Sequence, residues 1–212
     1  MPIKIIKREL KWARPLKPLN TTQIIGLALH HMEHLTWGIS EIHDYHLNLG
    51  WKGFAYNWWI DFEGNIYECR GLNSGGGLYD PLNDTVLSIG FQGDYNITKE
   101  MPIKQYNAGV ELVKYLKQLI PTIQTINGHK YWQSNTSCPG KYFPLKKMIE
   151  RIDTKINDYD DVADWAKEAV LRMIETGIMV GDGKKYFNPN QPITRQEVAV
   201  VVSRLLDYMQ TK

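Results

Sequence analysis

Gly128-His129-Lys130-Tyr131-Trp132-Gln133-Ser134-Asn135-Thr136-Ser137-Cys138-Pro139-Gly140 sets an imidazole and a thiol nine residues apart across a polar turn. The stretch just before it, Thr122 to Asn127, reads as a short strand. A second mostly apolar strand, Ile24 to His31, ends in His30-His31. Two such strands can deliver their terminal side chains to one edge of a sheet. An imidazole and a thiolate are two of the three protein ligands of a catalytic zinc, whose fourth position stays open for water. The His30-His31 pair can supply the third. A cysteine in a polar loop before Pro139-Gly140 is also an unusual place for a packing residue. With His30, His129 and Cys138 as ligands, the ion depresses the thiol pKa and that of a bound water, and it polarises a carbonyl. That is the chemistry of metal-assisted amide or ester hydrolysis.

Further out, the pattern alternates strands and helices. Ser40 to Leu49 has helical spacing, with Ser40 as a cap and Gly50 as a stop. Phe54 to Asp61 and Ile66 to Arg70 read as a hairpin around Glu63-Gly64-Asn65, and Val86 to Gln92 reads as another strand. Lys104 to Ile120 is an amphipathic helix ended by Pro121, and Leu145 to Ile156 is a closing helix. The expected fold class is α/β, with a mixed central β-sheet flanked by helices. Asn157 to Asp161 reads as an acidic hinge. Beyond it, Val162 to Glu175 and Thr194 to Met209 are two helices around a Gly-rich loop, a small all-α helix-loop-helix module. Trp165, Ala169, Met173 and Ile174 are expected to face inward. The domains expected are residues 1–156 and 157–212.

Composition narrows the function. The 212 residues carry 25 basic and 23 acidic side chains, without the basic face that nucleic-acid binding needs. Residues 153–212 alone carry 8 basic and 10 acidic side chains. Two cysteines do not make a disulfide scaffold, and Cys69 is expected to be a small buried hydrophobe. No continuous apolar run resembles a signal peptide or a membrane span, so synthesis as a cytoplasmic chain without membrane insertion is expected.

The first 150 residues resemble the zinc-dependent N-acetylmuramoyl-L-alanine amidases of the phage-lysozyme and peptidoglycan-recognition type. Five segments fall in family order. They are Leu27-Ala28-Leu29-His30-His31; Tyr45-His46 with Gly50 to Tyr56; the hairpin Asp61 to Gly71; Asn83 with Ser88 to Tyr95; and Gly128-His129 with Thr136 to Gly140. The resemblance implies the amidase fold, one Zn2+ on His30, His129 and Cys138, and catalytic help from Tyr56 and Thr136. Tyr56 is then an oxyanion stabiliser or a group that positions or deprotonates the water. His31 is the alternative first ligand, should the strand shift by one residue. His46 and Trp51 are expected to be structural, and His34 and His43 to lie at the surface. The chain departs from the family in Asn57, where histidine is usual. It also has one extra residue between His129 and Cys138, and no histidine near Gly76-Gly77.

Asp161 onward resembles one S-layer homology repeat through Trp165-Ala166, Gly177-Ile178, Gly181-Asp182-Gly183, Phe187-Asn188-Pro189 and Thr194-Arg195-Gln196-Glu197. Thr194-x-x-Glu197 is also a capping box. The resemblance implies binding of an anionic secondary cell-wall polymer, with Arg195, Gly181 and Asp182 as contacts. Such domains usually combine three repeats, so this single one is expected to self-associate, with weak binding or packing on the catalytic domain as the alternatives. Together the two resemblances imply a peptidoglycan hydrolase that cuts between N-acetylmuramic acid and L-alanine. It would be a phage endolysin or a host autolysin that acts on the wall after release. The alternatives are a non-catalytic peptidoglycan-binding protein and a cytosolic muropeptide-recycling amidase.

Overall fold

The computed structural model describes residues 3–153 and 156–210. The chain divides into two compact units, Pro2–Ile152 and Asp153–Lys212. In the first unit the strands are β1 (Ile5–Lys7), β2 (Gly26–His31), β3 (Trp58–Ile60), β4 (Ile66–Glu68), β5 (Val86–Phe91) and β6 (Thr125–Gly128). They form one sheet in the order β1-β4-β3-β5-β2-β6. Only β3 and β4 run antiparallel; every other neighbouring pair is parallel, so the sheet is mixed. Helices α1 (Ile39–Asn48), α2 (Ile103–Leu119), α3 (His129–Trp132) and α4 (Leu145–Asp153) complete the unit.

Every residue of β2 and β5 is buried, as expected of parallel strands covered on both faces. Leu27 and Leu29 of β2 join Leu87, Ile89 and Phe91 of β5 in one core with Val113 and Leu116 of α2 and Met148 of α4. Ala28 packs on the opposite side with Leu78 and Val86. A strand has a period of two, so His30 points the same way as Ala28.

Several sequence expectations shift. The strand expected over 54–61 is confined to Trp58–Ile60. Asn57 breaks it. The Asn57 side-chain oxygen accepts from Ser88 N–H at 2.8 Å, and its amide donates to Gly71 O and Asn73 O. An asparagine used this way ties the strand start to the Gly-rich loop. Helix α1 is capped at Gly38 rather than Ser40, since the Glu41 carboxylate accepts the Gly38 N–H at 3.1 Å. His43 is not a surface residue. It shares the buried face of α1 with Ile39, Ile42 and His46, and it accepts from Phe54 N–H at 3.1 Å. Cys69 is half-buried rather than buried, and burial pushes its thiol up to about 12. Residues 154 and 155, within the expected span of the closing helix, lie outside the described residues.

The second unit contains α5 (Lys167–Glu175), the loop that follows it, and α6 (Arg195–Gln210). Helix α5 starts at Lys167, five residues later than expected, so Trp165 precedes it and is 89% exposed instead of facing inward. Ala169 is exposed too, while Met173 and Ile174 are half-buried. Asp158 is no hinge residue: its carboxylate accepts from Phe187 N–H at 2.9 Å and Asn188 N–H at 2.6 Å. Burial alone would raise the Asp158 pKa, and these two amides hold it below the ordinary value. The capping box at α6 is present, with Glu197 N–H donating to Thr194 Oγ1 at 3.2 Å and Thr194 N–H donating to the Glu197 carboxylate at 2.7 Å. No described residue of α6 is buried.

Candidate metal centre and active site

β2 and β6 are parallel neighbours, with Leu29 opposite Gly128, so His30 and His129 leave the same end of adjacent strands. Their rings lie 4.5 Å apart between centroids. The 133–140 loop then folds back: Lys130 N–H donates to Cys138 O at 2.9 Å. Gly128 makes that approach possible, because a Cβ there would collide with Pro139 Cδ. The result brings one donor atom each from His30, His129 and Cys138 within 4.8 Å of one another. His31 points to the other side of β2, where its Nδ1 accepts from Tyr95 N–H at 2.9 Å. Strand alternation thus separates the two histidines.

The donor set fits a tetrahedral zinc. Zn–N of about 2.1 Å and Zn–S of about 2.3 Å at tetrahedral angles place nitrogen and sulfur about 3.6 Å apart. Here Cys138 Sγ lies 3.7 Å from His30 Nδ1. The opposite ring nitrogens are engaged elsewhere, His30 Nε2 with Ser88 Oγ at 3.2 Å and His129 Nε2 with Gln133 Oε1 at 3.0 Å. Outer partners of this kind fix the ring orientation of metal-binding histidines. Burial lowers the pKa of both imidazoles, and for His30 the neighbouring His129 lowers it further. Both are therefore neutral, as ligands must be. Burial pushes the Cys138 thiol up to about 12, so only a nearby cation would make it a thiolate at neutral pH.

The cluster lines a cavity of about 370 Å³ together with Tyr56, Thr136, His46, Trp51 and Glu33. The Tyr56 ring lies across β5, where Gly90 is required: a Cβ there would meet Tyr56 Cδ2 at 2.5 Å. Its centroid is 5.1 Å from that of His30, and its hydroxyl reaches His31 O at 3.5 Å. Burial, with the Cys138 and Glu33 charges adding to it, holds the Tyr56 pKa far above the ordinary value, so it is a hydrogen-bond donor. Thr136 Oγ1 accepts from Cys138 N–H at 3.1 Å, which leaves its own proton to donate. His46 accepts from Ala55 N–H at 3.2 Å and stacks on Trp51 at 4.7 Å, so both hold the wall of the cavity as well as lining it. His34 is half-buried, stacks on Trp37 at 4.2 Å and also lines the cavity, so it is not a free surface residue. A second cavity of about 560 Å³ shares Trp51, Gly77, His129 and Thr136 with the first and extends along Lys52, Tyr79 and Asn135.

Three polar residues of the site were not singled out in the sequence. Ser88 carried a signal, a polar residue at an alternating position in an apolar strand. Gln133 lies four residues after His129, the spacing of neighbours on a helix. Glu33 carried none; it shows itself through its backbone, at φ 59°, a conformation that costs a non-glycine residue about 1–3 kcal/mol.

In the second unit, Gly181 and Asp182 line a groove of about 600 Å³ that Arg204 also faces. The Asp182 carboxylate accepts from Lys184 N–H at 2.8 Å and Tyr186 N–H at 3.2 Å, so it shapes the turn. Arg195 is exposed at the first turn of α6 and is not among the groove residues.

Comparison with known proteins agrees with the division. The profile of the family described as N-acetylmuramoyl-L-alanine amidase matches residues 20–141, and that of the S-layer homology domain matches residues 155–199. Peptidoglycan-recognition protein SC2 of Drosophila melanogaster is 32% identical over 107 residues, covering 48% of this chain and 56% of that one. The chain thus spans about half the length of the curated relatives it matches. The Surface-layer 125 kDa protein of Lysinibacillus sphaericus is 34% identical over 53 residues, which cover 25% of this chain and 4% of that protein. Among solved structures, the endolysin N-acetylmuramoyl-L-alanine amidase LysCS from Clostridium intestinale URNW is 25% identical with a TM-score of 0.66, covering 73% of this chain and 98% of that one.

Proposed function

Because the chain belongs to the N-acetylmuramoyl-L-alanine amidase family, we propose that it is a zinc-dependent peptidoglycan amidase that hydrolyses the bond between the lactyl carbonyl of N-acetylmuramic acid and L-alanine. The observation that carries this is the convergence of His30, His129 and Cys138 within 4.8 Å in an open cavity. Zinc bound there supplies an activated water and a Lewis acid for the carbonyl. The residues of the chain do the rest. The Ser88 and Gln133 contacts keep the two imidazoles aimed. The Tyr56 hydroxyl donates to the oxygen that becomes negative as the carbonyl is attacked. Thr136 donates to that oxygen or to the departing group, and the shared rim of the two cavities gives the two arms of the substrate room on either side.

The tail is the wall anchor in this proposal, with Arg195, Gly181 and Asp182 as contacts for an anionic secondary cell-wall polymer. It also self-associates: Val202, Leu206 and Met209 of α6 are exposed, an apolar surface that a second copy would cover. The chain then works at the bacterial wall as an endolysin or autolysin. No described helix is long and apolar enough to cross a membrane.

Elemental analysis of the purified chain and digestion of purified sacculi test this together. Zinc near one ion per chain, with new L-alanine amines and free muramic acid carboxyl groups, is the expected result. Binding to sacculi without new ends would mean a recognition protein; cleavage of small fragments alone would mean a recycling enzyme.

A further inference from the structure

Amide hydrolysis must move a proton from the attacking water to the departing nitrogen, because an amide anion is too poor a leaving group. At the cavity the Tyr56 and Thr136 hydroxyls are donors that do not take up a further proton at neutral pH. His46 uses Nδ1 to accept the Ala55 N–H, and His34 uses Nδ1 to accept from Thr36 and Trp37. Glu33 is the one carboxylate among the lining residues.

Its placement is built by the fold. Met32 N–H donates to Gly93 O at 3.2 Å on one side, and His34 bridges to Gly93 on the other. Between these two ties Glu33 is turned into the left-handed region, at φ 59°. Beneath it, His31 accepts the Tyr95 N–H on Nδ1. In the neutral ring the proton then sits on Nε2, which is buried without a hydrogen-bond partner and faces Glu33 Oε1 at 3.4 Å. An imidazole held by the backbone and aimed at a carboxylate is the arrangement of a proton acceptor oriented by a third group.

We propose that Glu33 is a catalytic residue of this site, the carrier that takes a proton from the attacking water and gives it to the nitrogen of the scissile amide. The proposal rests on the amidase function set out above. The water oxygen bonds to the carbonyl carbon and its proton passes to the Glu33 carboxylate. The C–N bond breaks with its electron pair on nitrogen, and Glu33 returns the proton there. A carboxylic acid and a free amine result, and the glutamate is regenerated.

Full-length E33Q and E33D, assayed on purified peptidoglycan and on an aryl ester of the same lactyl acyl group, test it. E33Q is expected to lower kcat on the amide by about 10²–10⁴-fold, with KM little changed. The ester, which still needs the water deprotonated but no proton on its leaving group, loses less. Zinc content and Tm stay at the wild-type level, and E33D recovers part of the amide activity. The proposal is overturned if E33Q cleaves peptidoglycan as the wild type does, if the ester rate falls further than the amide rate, or if E33Q loses zinc or melts early, since Glu33 would then only support His31 and the metal site. A zinc-loaded wild-type chain that releases no amine overturns the amidase function and Glu33 with it; an active wild type with an unaffected E33Q removes Glu33 alone.

Discussion

Strands β2 and β5 of the first unit are buried along their whole length, whereas helix α6 of the second, longer than either, has no buried residue among those described. Both are rich in apolar side chains. The difference lies in what each unit supplies to cover them. The first has a sheet with α2 and α4 on one face and the α1 cluster and Gly-rich loop beyond the other, enough to enclose side chains on both sides. The second has two helices and a turn, and a unit that small cannot remove its apolar surface from water unaided. The first unit is therefore expected to be set by packing, and the second by hydrogen bonds at its turns and caps.

The largest expected effect falls on function. Cys138→Ala should abolish both zinc retention and release of L-alanine amines while leaving the fold of either unit intact; an active, metal-free variant would break the proposed chemistry. Next comes packing. Leu116→Ala, at a fully buried site in α2, should cost about 2–5 kcal/mol by denaturant unfolding of the first unit. The matching truncation Val202→Ala on exposed α6 should stay within about 0.5 kcal/mol. Equal losses would erase the contrast between the units.

A smaller, pH-dependent effect separates them further. Burial, with the Arg70 charge adding to it, lowers the His46 pKa to about 4. The unfolded imidazole titrates near about 6.5. Between those values the unfolded chain binds the proton and the folded chain does not, so stability falls as pH drops through that window, by about 3 kcal/mol at most. Chemical unfolding of the first unit at a series of pH values should show this loss, and His46→Gln should flatten it. The tail behaves otherwise. The depressed Asp158 carboxylate contributes stability above the unfolded value of about 3.9 and loses it only as pH falls through the folded pKa. The smallest effect is Thr194→Ala, which removes a cap and should lower the stability of the tail by about 1 kcal/mol, read by helix circular dichroism on melting.

Much of the fold was legible because it rests on periodicity. The long apolar runs of β2 and β5 and the 3.6-residue spacing of α2 identify themselves, and their observed bounds differ from the expected ones by a residue or two. Short elements carry too few residues for a period. β1 has three residues with charge among them, and α3 has four, so neither stands out. The strand expected at Phe54 fails for a different reason: Asn57 places its side-chain amide where ladder bonds would continue, and nothing in the aromatic run announces that. The phase of α5 departs from the expected one for the same kind of cause, since a turn over residues 164–166 delays the helix and leaves Trp165 in solvent.

What the sequence determined by itself is the chemistry available: two imidazoles and a thiol behind short strands, a capped last helix, and an order of motifs that gives the family. What only the tertiary structure decided is which atoms meet. His30 rather than His31 joins His129 and Cys138 because strand alternation acts only once one face is committed to the α2 core. That commitment is made by residues from β5, α2 and α4, far away along the chain. Glu33 gains a role in the same way, from a turn pinned to Gly93 some sixty residues later. Local pattern fixes the direction of a side chain relative to its neighbours; packing across the sheet fixes it relative to the rest of the molecule.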